Sequence, residues 1–126
     1  MLRPVFAAQE GASLSPGVFS ELRFDRHLLR PSPKGPPIAE HRDDAWQVEG
    51  RSYPRMDCEG HRVFLYCTDN AGGIGRAFGP FSHLSSVDGV MLADHEPFAT
   101  FDEAAKLWQI DGTEVRSAVL VARTAD

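Results

Sequence analysis

Apolar and polar residues alternate along much of this chain, which is the pattern of β-strands with one buried face. Trp46 and Val48 alternate with polar neighbours, whereas residues 63–67 and 113–122 are apolar on both faces. A strand with two apolar faces needs cover on each side, which a second sheet, a barrel wall, a helix or a second subunit can supply.

Acidic residues followed by glycine punctuate these strand-like segments. Asp-Gly is a strong hairpin signal, because a type I′ turn needs positive φ at both central residues, and Glu-Gly is a weaker version. Such pairs occur at Glu49-Gly50, Glu59-Gly60, Asp88-Gly89 and Asp111-Gly112. The pattern predicts a single, mainly β domain with a minor α component over residues 1–126, in which an antiparallel meander forms a small barrel or sandwich.

Two segments depart from the strand pattern. Residues 31–37 hold four prolines and cannot enter the interior of a sheet, so we predict a connector there. Thr100 and Glu103 fit a capping box, and good helix formers follow at residues 104–107. We therefore predict one short helix near residues 101–108.

Charge narrows the range of partners. The chain has 126 residues and a formal net charge of −5, with charged residues at 25%. Its basic residues are scattered singly, so neither nucleic acid nor an anionic membrane surface is an expected partner. No stretch approaches the roughly 20 apolar residues of a membrane span. These features predict a soluble cytoplasmic protein, and the preference for arginine over lysine points to a GC-rich bacterial genome.

Cys58 and Cys67 are the two cysteines of the chain. A two-residue turn at Glu59-Gly60 would place Cys58 opposite His61, with Cys67 several residues further along the next strand. A disulfide needs Cα atoms within about 7 Å of each other. We therefore expect two free thiols, as is usual in a reducing compartment.

Residues 64–77 carry a local resemblance to a known family. An apolar run, a threonine and then Gly73-Ile74-Gly75 resemble the cofactor loop of short-chain dehydrogenases, which holds a pyrophosphate at a helix N-terminus. Asp69 puts a negative charge where that family has its first glycine, and Gly79-Pro80 would stop the helix. We predict instead an irregular loop over residues 69–75, with no bound nucleotide or other cofactor.

Histidines raise the questions of metal binding and acid–base chemistry. Cys58 and His61 have ligand-like spacing, but His83 and His95 are isolated rather than a second tight pair, so no metal site is predicted. An acid–base pair would combine a histidine with a nearby carboxylate. The candidates for that pair are His61, His83, Asp94 and Glu96.

Large aromatic residues supply a second kind of candidate site. Trp and Tyr carry polar atoms that need partners, so they often line pockets or interfaces. The candidate ligand-binding residues are Trp46, Tyr66, Phe81 and Trp108.

The sequence leaves two functions open. The favoured one is a small non-catalytic binding module that holds a small apolar ligand or a protein partner, and the alternative is a small barrel-type enzyme that uses a His/acid pair. Residues 113–122 also favour a homodimer if they form an edge strand, because an unpaired apolar edge needs protection. A central position beneath the predicted helix would remove that need.

Overall fold

The computed structural model of the protein describes residues 1–59, 62–68, 74–111, 116–117 and 119–124. Within these ranges the protein consists of short β-strands and has no helix. The strands in chain order are β1 (Arg3–Ala7), β2 (Ser13–Leu14), β3 (Glu21–Asp25), β4 (Leu28–Arg30), β5 (Ala39–Arg42), β6 (Ala45–Val48), β7 (Arg51–Tyr53), β8 (Arg55–Glu59), β9 (Val63–Thr68), β10 (Ile74–Phe81), β11 (Leu84–Val87), β12 (Val90–Ala93), β13 (Glu96–Asp102), β14 (Leu107–Ile110), β15 (Arg116–Ser117) and β16 (Val119–Thr124).

Two antiparallel sheets pack face to face, which confirms the predicted mainly β fold. The first sheet has the order β15-β14-β13-β12-β11-β8-β1-β2, and the second has the order β10-β9-β16-β3-β4-β5-β6-β7. Consecutive hairpins build the runs β3–β7 and β11–β15, as in a meander. By contrast, β8 pairs with β1 and β11, and β16 pairs with β3 and β9, so strands distant in sequence join these runs.

The core lies between the two sheets and is built from alternate residues of each strand. Leu22 and Phe24 of β3 are buried between more exposed neighbours, and Met56 and Cys58 of β8 repeat the pattern. This alternation is what a sheet with one covered face requires. The largest fully buried side chains are Trp46, Trp108, Phe6, Phe24, Leu2, Leu22, Leu29, Met56, Leu65, Leu84, Met91 and Leu120.

Two of the predicted acidic-Gly turns are confirmed. Asp88 and Gly89 have φ values of 51° and 84°, and the flanking Val87 pairs with Val90. Glu49 and Gly50 have φ values of 50° and 80° in the β6–β7 hairpin. Both residues of each pair thus have the positive φ of a type I′ turn, which matches the twist of the strands they join.

The predicted hairpin at Glu59-Gly60 is wrong. Strand β8 ends at Glu59 in the first sheet, and β9 begins at Val63 in the second sheet, so the two strands do not pair. Cys58 therefore does not face His61, although both cysteines are free, as expected. Gly60 and His61 themselves lie outside the described residues.

The predicted hairpin at Asp111-Gly112 falls partly outside the described residues, because Gly112 is not among them. Its flanking strands are described, and β14 pairs antiparallel with β15. Trp108 lies opposite Ser117, whereas a two-residue turn at 111–112 would place it opposite Val115. The register of β14 with β15 therefore differs by two residues from that of the predicted turn.

The predicted helix near residues 101–108 is wrong. Residues 103–106 form a turn between β13 and β14, and Phe101 pairs with Trp108 across the hairpin. The side chain of Asp102 accepts hydrogen bonds from the amides of Ala104 and Ala105, at 3.0 and 3.1 Å. Lys106 then adopts a φ of 58°, which ends the turn after one helical cycle. The predicted capping role of Thr100 is wrong, because Thr100 lies within β13 and its hydroxyl donates a hydrogen bond to Asp111, and Asp102 accepts from the turn amides instead.

The C-terminal apolar segment contributes to both sheets, with β15 at an edge of the first sheet and β16 inside the second. Residues 113–115 and 118 are outside the described ranges, while β16 hydrogen-bonds to β3 on one side and to β9 on the other. The central position considered for residues 113–122 is therefore observed for residues 119–122, where the first sheet rather than a helix covers the inner face, whereas residues 116–117 form an edge strand.

The glycine-rich segment leads into a strand. Residues 69–73 lie outside the described ranges, and Ile74 and Gly75 already belong to β10, so the irregular loop predicted over 69–75 is wrong for these two residues. Strand β10 pairs antiparallel with β9. A strand therefore occupies the position where short-chain dehydrogenases place a helix, and the helix N-terminus that binds a pyrophosphate is missing from this described segment.

Candidate functional site

The two tryptophans among the candidate ligand-binding residues are part of the core. Trp46 and Trp108 stack with ring centroids 6.4 Å apart, and Phe24 packs against both of them. The Trp46 indole N–H donates a hydrogen bond to the Ser86 hydroxyl at 3.3 Å. These rings fill the space between the sheets and do not line an open cavity.

The other two candidate aromatics lie outside the core. Tyr66 projects from the outer face of β9 beside Phe64, at a centroid distance of 6.4 Å. Phe81 is half-buried at the end of β10 and contacts Phe98 of β13 at 5.9 Å. The four candidate aromatic residues therefore form two separate pairs. Trp46 and Trp108 lie in the core, whereas Tyr66 and Phe81 lie on β9 and β10 of the second sheet.

Strand β10 forms a free edge lined by phenylalanines. Among the described residues it pairs with β9 alone, so one side of its backbone has no strand partner. Phe78 packs edge-on against Phe98 at 5.0 Å, and the guanidinium of Arg76 lies 5.3 Å from the centre of the Phe78 ring. We refer to Phe78, Phe81 and Phe98 as the phenylalanine cluster; all three are only partly buried.

The candidate acid–base histidine His83 binds an acid that the sequence did not indicate. Its Nε2 lies 3.2 Å from the Asp57 carboxylate, whereas the candidate Glu96 is exposed at the start of β13. Asp94 instead accepts hydrogen bonds from the amides of Ser82 and His83, at 2.6 and 3.0 Å. Asp57 was missed because it approaches His83 only through the pairing of β8 with β11, and no local signal predicts that pairing.

The charge of Asp57 is fixed by a neighbouring arginine. Arg55 donates two hydrogen bonds to the carboxylate, at 2.7 and 3.0 Å. This pairing holds the pKa of Asp57 below its ordinary value, and it raises the pKa of Arg55. Asp57 therefore favours its charged form, which can orient the imidazole of His83 through their hydrogen bond.

The surroundings of this pair are open. His83 stacks on His95 with centroids 4.8 Å apart, and both lie at the β11–β12 end of the first sheet. Ser85 pairs with Asp57 across the strands but is only 1% exposed, so its hydroxyl is out of reach of a substrate. In this part of the structure, the Ser85 hydroxyl and the His83–Asp57 pair therefore do not face a common cavity.

A second histidine, His41, lies buried among aromatic rings. Its ring is 4.6 Å from Phe101, 4.9 Å from Trp46 and 5.5 Å from Trp108. Its Nδ1 has no hydrogen-bond partner and lies 3.8 Å from the Glu103 carboxylate. Burial lowers the pKa of His41, and the negative charge of Glu103 offsets part of this effect.

Neither cysteine is poised as a nucleophile. Both are buried, and burial raises the pKa of the Cys58 thiol to about 12. Within the described residues, no group of three or more His, Cys, Asp or Glu side chains is arranged to hold a metal ion.

Two shallow grooves open to solvent occur on the surface. One of about 280 Å³ lies beside Glu10, Ser52 and Pro54, and one of about 210 Å³ lies between β4, β5 and β6. Neither is lined by a candidate site residue. Both are smaller than the roughly 300–1,000 Å³ of typical small-molecule sites.

Comparison with protein-family models, curated proteins and solved structures finds no match to this chain. Over the ranges that the structure describes, no helix combines the length and the apolar character needed to cross a membrane.

Proposed function

We propose that this protein is a small non-catalytic binding module that holds a protein partner along the free edge of β10. The observation that carries the proposal is the half-buried phenylalanine cluster beside an unpaired edge strand. Proteins that bind an extended peptide at a sheet edge pair with its backbone through the unpaired N–H and C=O groups of the edge strand. They also make apolar contacts with alternate side chains of the peptide. The free thiols Cys58 and Cys67 favour a cytoplasmic location for this interaction.

A protein partner is a better fit than a small apolar ligand. A ligand of that kind needs a concave apolar cavity, and the core tryptophans Trp46 and Trp108 instead pack against each other. The phenylalanine cluster is an open surface on the flank of β10. Such a surface suits a chain segment that also satisfies backbone hydrogen-bonding groups.

The alternative is an enzyme that uses a His/acid pair, and the hydrogen bond between His83 and Asp57 is the observation in its favour. The pair lies on an open sheet face that excludes little water, which weakens general acid–base catalysis. The two proposals also differ in the residues they need, because the module depends on β10 and the enzyme depends on His83.

Selection of peptides tests the proposed module directly. The protein is immobilised at low density, so that copies cannot meet, and is panned against phage-displayed random dodecapeptides. We expect selected peptides to bind at least about tenfold more weakly to Phe78→Ala and Ala77→Glu, because these changes remove an apolar contact and charge the edge. Ser52→Glu, at the opposite edge of the same sheet, is the matched control and should bind as wild type does.

Three results would contradict the proposed binding of a partner at β10. Recovery of no peptide above an empty surface, or of peptides that bind wild type and the β10 variants equally, would rule out β10 as the receiving edge. Peptides lost on His83→Gln but retained by Phe78→Ala would direct attention to the histidine site. Circular dichroism of each variant confirms that the fold is retained.

A further inference from the structure

The free edges of the two sheets differ greatly in length. Among the described residues, the edge strands β2 and β15 have two residues each, and β7 has three. Strand β10 has eight residues, and its partly exposed apolar flank is the phenylalanine cluster. Of the strand edges that the structure describes, it is therefore the one with the most backbone left for another strand to pair with.

We propose that the segment received at this edge is β10 of a second copy of the chain, paired antiparallel about a two-fold axis through Ala77. This inference rests on the proposed function and names its partner. It differs from the dimer expected from residues 113–122, because β16 already has strand neighbours on both sides.

The regular part of β10 selects this axis. Arg76, Ala77 and Phe78 pair in unbroken register with β9, and the register shifts on either side of them. Ala77 is the middle residue of this regular stretch and is exposed. Pairing two strands about their central residue uses the whole regular stretch of each one.

The sequence around Ala77 is complementary to itself in this register. Arg76 of one copy lies opposite Phe78 of the other, and Gly75 lies opposite Gly79. Directly opposed residues have Cβ atoms about 4.5–5.5 Å apart, which places the guanidinium within cation–π distance of the opposing ring. Arg76 already approaches the Phe78 ring of its own chain at 5.3 Å, so the two side chains are compatible neighbours.

The same strand limits how far assembly can proceed. Pro80 has no N–H to donate, and the register shifts bend the backbone away from regular pairing. An isologous pairing also uses both β10 edges and leaves none of them free, so it closes at two subunits. The expected product is a reversible dimer and not a fibre.

Charged substitutions at residue 77 test the position of the proposed two-fold axis. Light scattering coupled to size exclusion should give wild type a mass that rises toward twice the 13.9 kDa chain at micromolar concentration. Ala77→Glu and Ala77→Lys should each weaken the dimer by at least about tenfold, because like charges then face each other across the axis. An equimolar mixture of the two variants should dimerise again, since opposite charges now meet. Ser52→Glu should remain as dimeric as wild type.

Each other result would overturn the inference. A wild type that stays at 13.9 kDa on concentration excludes the dimer. A dimer that is insensitive to both variants, or that is not restored in the mixture, forms elsewhere on the molecule. If wild type is monomeric while selected peptides still require Ala77 and Phe78, the second copy is excluded and the proposed module stands. If the peptides fail as well, both proposals fall.

Discussion

His41 is buried without a hydrogen bond to its Nδ1, and the aromatic rings around it offer no acceptor. Charged groups face it from two turns, namely Glu103 and Lys106 from the β13–β14 turn and Asp44 from the β5–β6 turn. Burial outweighs the carboxylates and lowers the pKa of His41 below 6.5. Folding therefore favours the neutral form of this imidazole.

This arrangement predicts a loss of stability in mild acid. As the pH falls through 6.5, His41 binds a proton more readily in the unfolded chain than in the folded one, so the free energy of unfolding decreases until the lower folded pKa is reached. His41→Gln should show a smaller decrease between about pH 8 and pH 5, measured by urea denaturation. Equal slopes for wild type and His41→Gln would show that His41 is not the group responsible.

Gly79 occupies a position that only glycine fits. It has a φ of 123°, and a Cβ atom there would lie 2.8 Å from the backbone oxygen of Val63. Gly79→Ala should destabilise the protein by about 2–4 kcal/mol, combining an unfavourable φ with a backbone clash. Gly11→Ala is the matched control, because Gly11 has a φ of 92° but no atom within 4 Å of a Cβ. Thermal melts that show similar losses for both variants would contradict the clash.

At the scale of elements, the hairpin turns show what local sequence can and cannot predict. Asp88-Gly89 forms the expected type I′ turn because its residue types favour positive φ. Asp43-Asp44 and Asp94-His95 form two-residue turns without glycine, with all four φ values between 51° and 65°. Asp and His adopt positive φ more often than most other residues, but they still do so rarely. Their presence is therefore only a weak sequence signal for a turn. Glu59-Gly60 was mispredicted because only pairing with distant strands decides that β8 and β9 enter different sheets.

The turn between β13 and β14 depends on one carboxylate. Asp102 accepts hydrogen bonds from the Ala104 and Ala105 amides at 3.0 and 3.1 Å. Asp102→Ala should lower the free energy of unfolding by about 1 kcal/mol, as the loss of a capping side chain does elsewhere. Asp102→Asn retains an acceptor oxygen and should cost less, which chemical denaturation can resolve. A larger loss for the asparagine variant would mean that the negative charge matters more than the amide acceptor.

At the scale of the whole molecule, the same residue types serve as core and as surface. The polar atoms of large aromatic side chains predicted Trp46 and Trp108 as ligand-binding residues, whereas packing between the two sheets buries both. The phenylalanine cluster brings β10 and β13 together from different sheets, so its members could not be grouped from sequence spacing. Asp57 could not be predicted as the partner of His83 for the same reason, because the two residues meet only through the pairing of β8 with β11. Alternation indicates which face of a strand is buried, but sheet order decides which residues meet.

Substitution of a core ring and a surface ring separates these roles. Trp108→Ala should destabilise the fold by about 3–5 kcal/mol, because it opens a cavity between the sheets. Phe81→Ala should cost clearly less, since its ring is only partly buried. Urea denaturation of the two variants beside wild type checks the order. A small loss for Trp108→Ala would show that the ring lines an open site after all.

The position of β16 between β3 and β9 has a consequence for folding during synthesis. Leu120 lies opposite Phe24 on one side and Cys67 on the other, so the second sheet stays divided until almost all of the chain described here has left the ribosome. Contacts between residues so far apart in sequence close large loops, which slows folding compared with a protein built from local hairpins. Until then, β3 and β9 each present an open edge to other nascent chains, and this interval is when the protein is most exposed to aggregation.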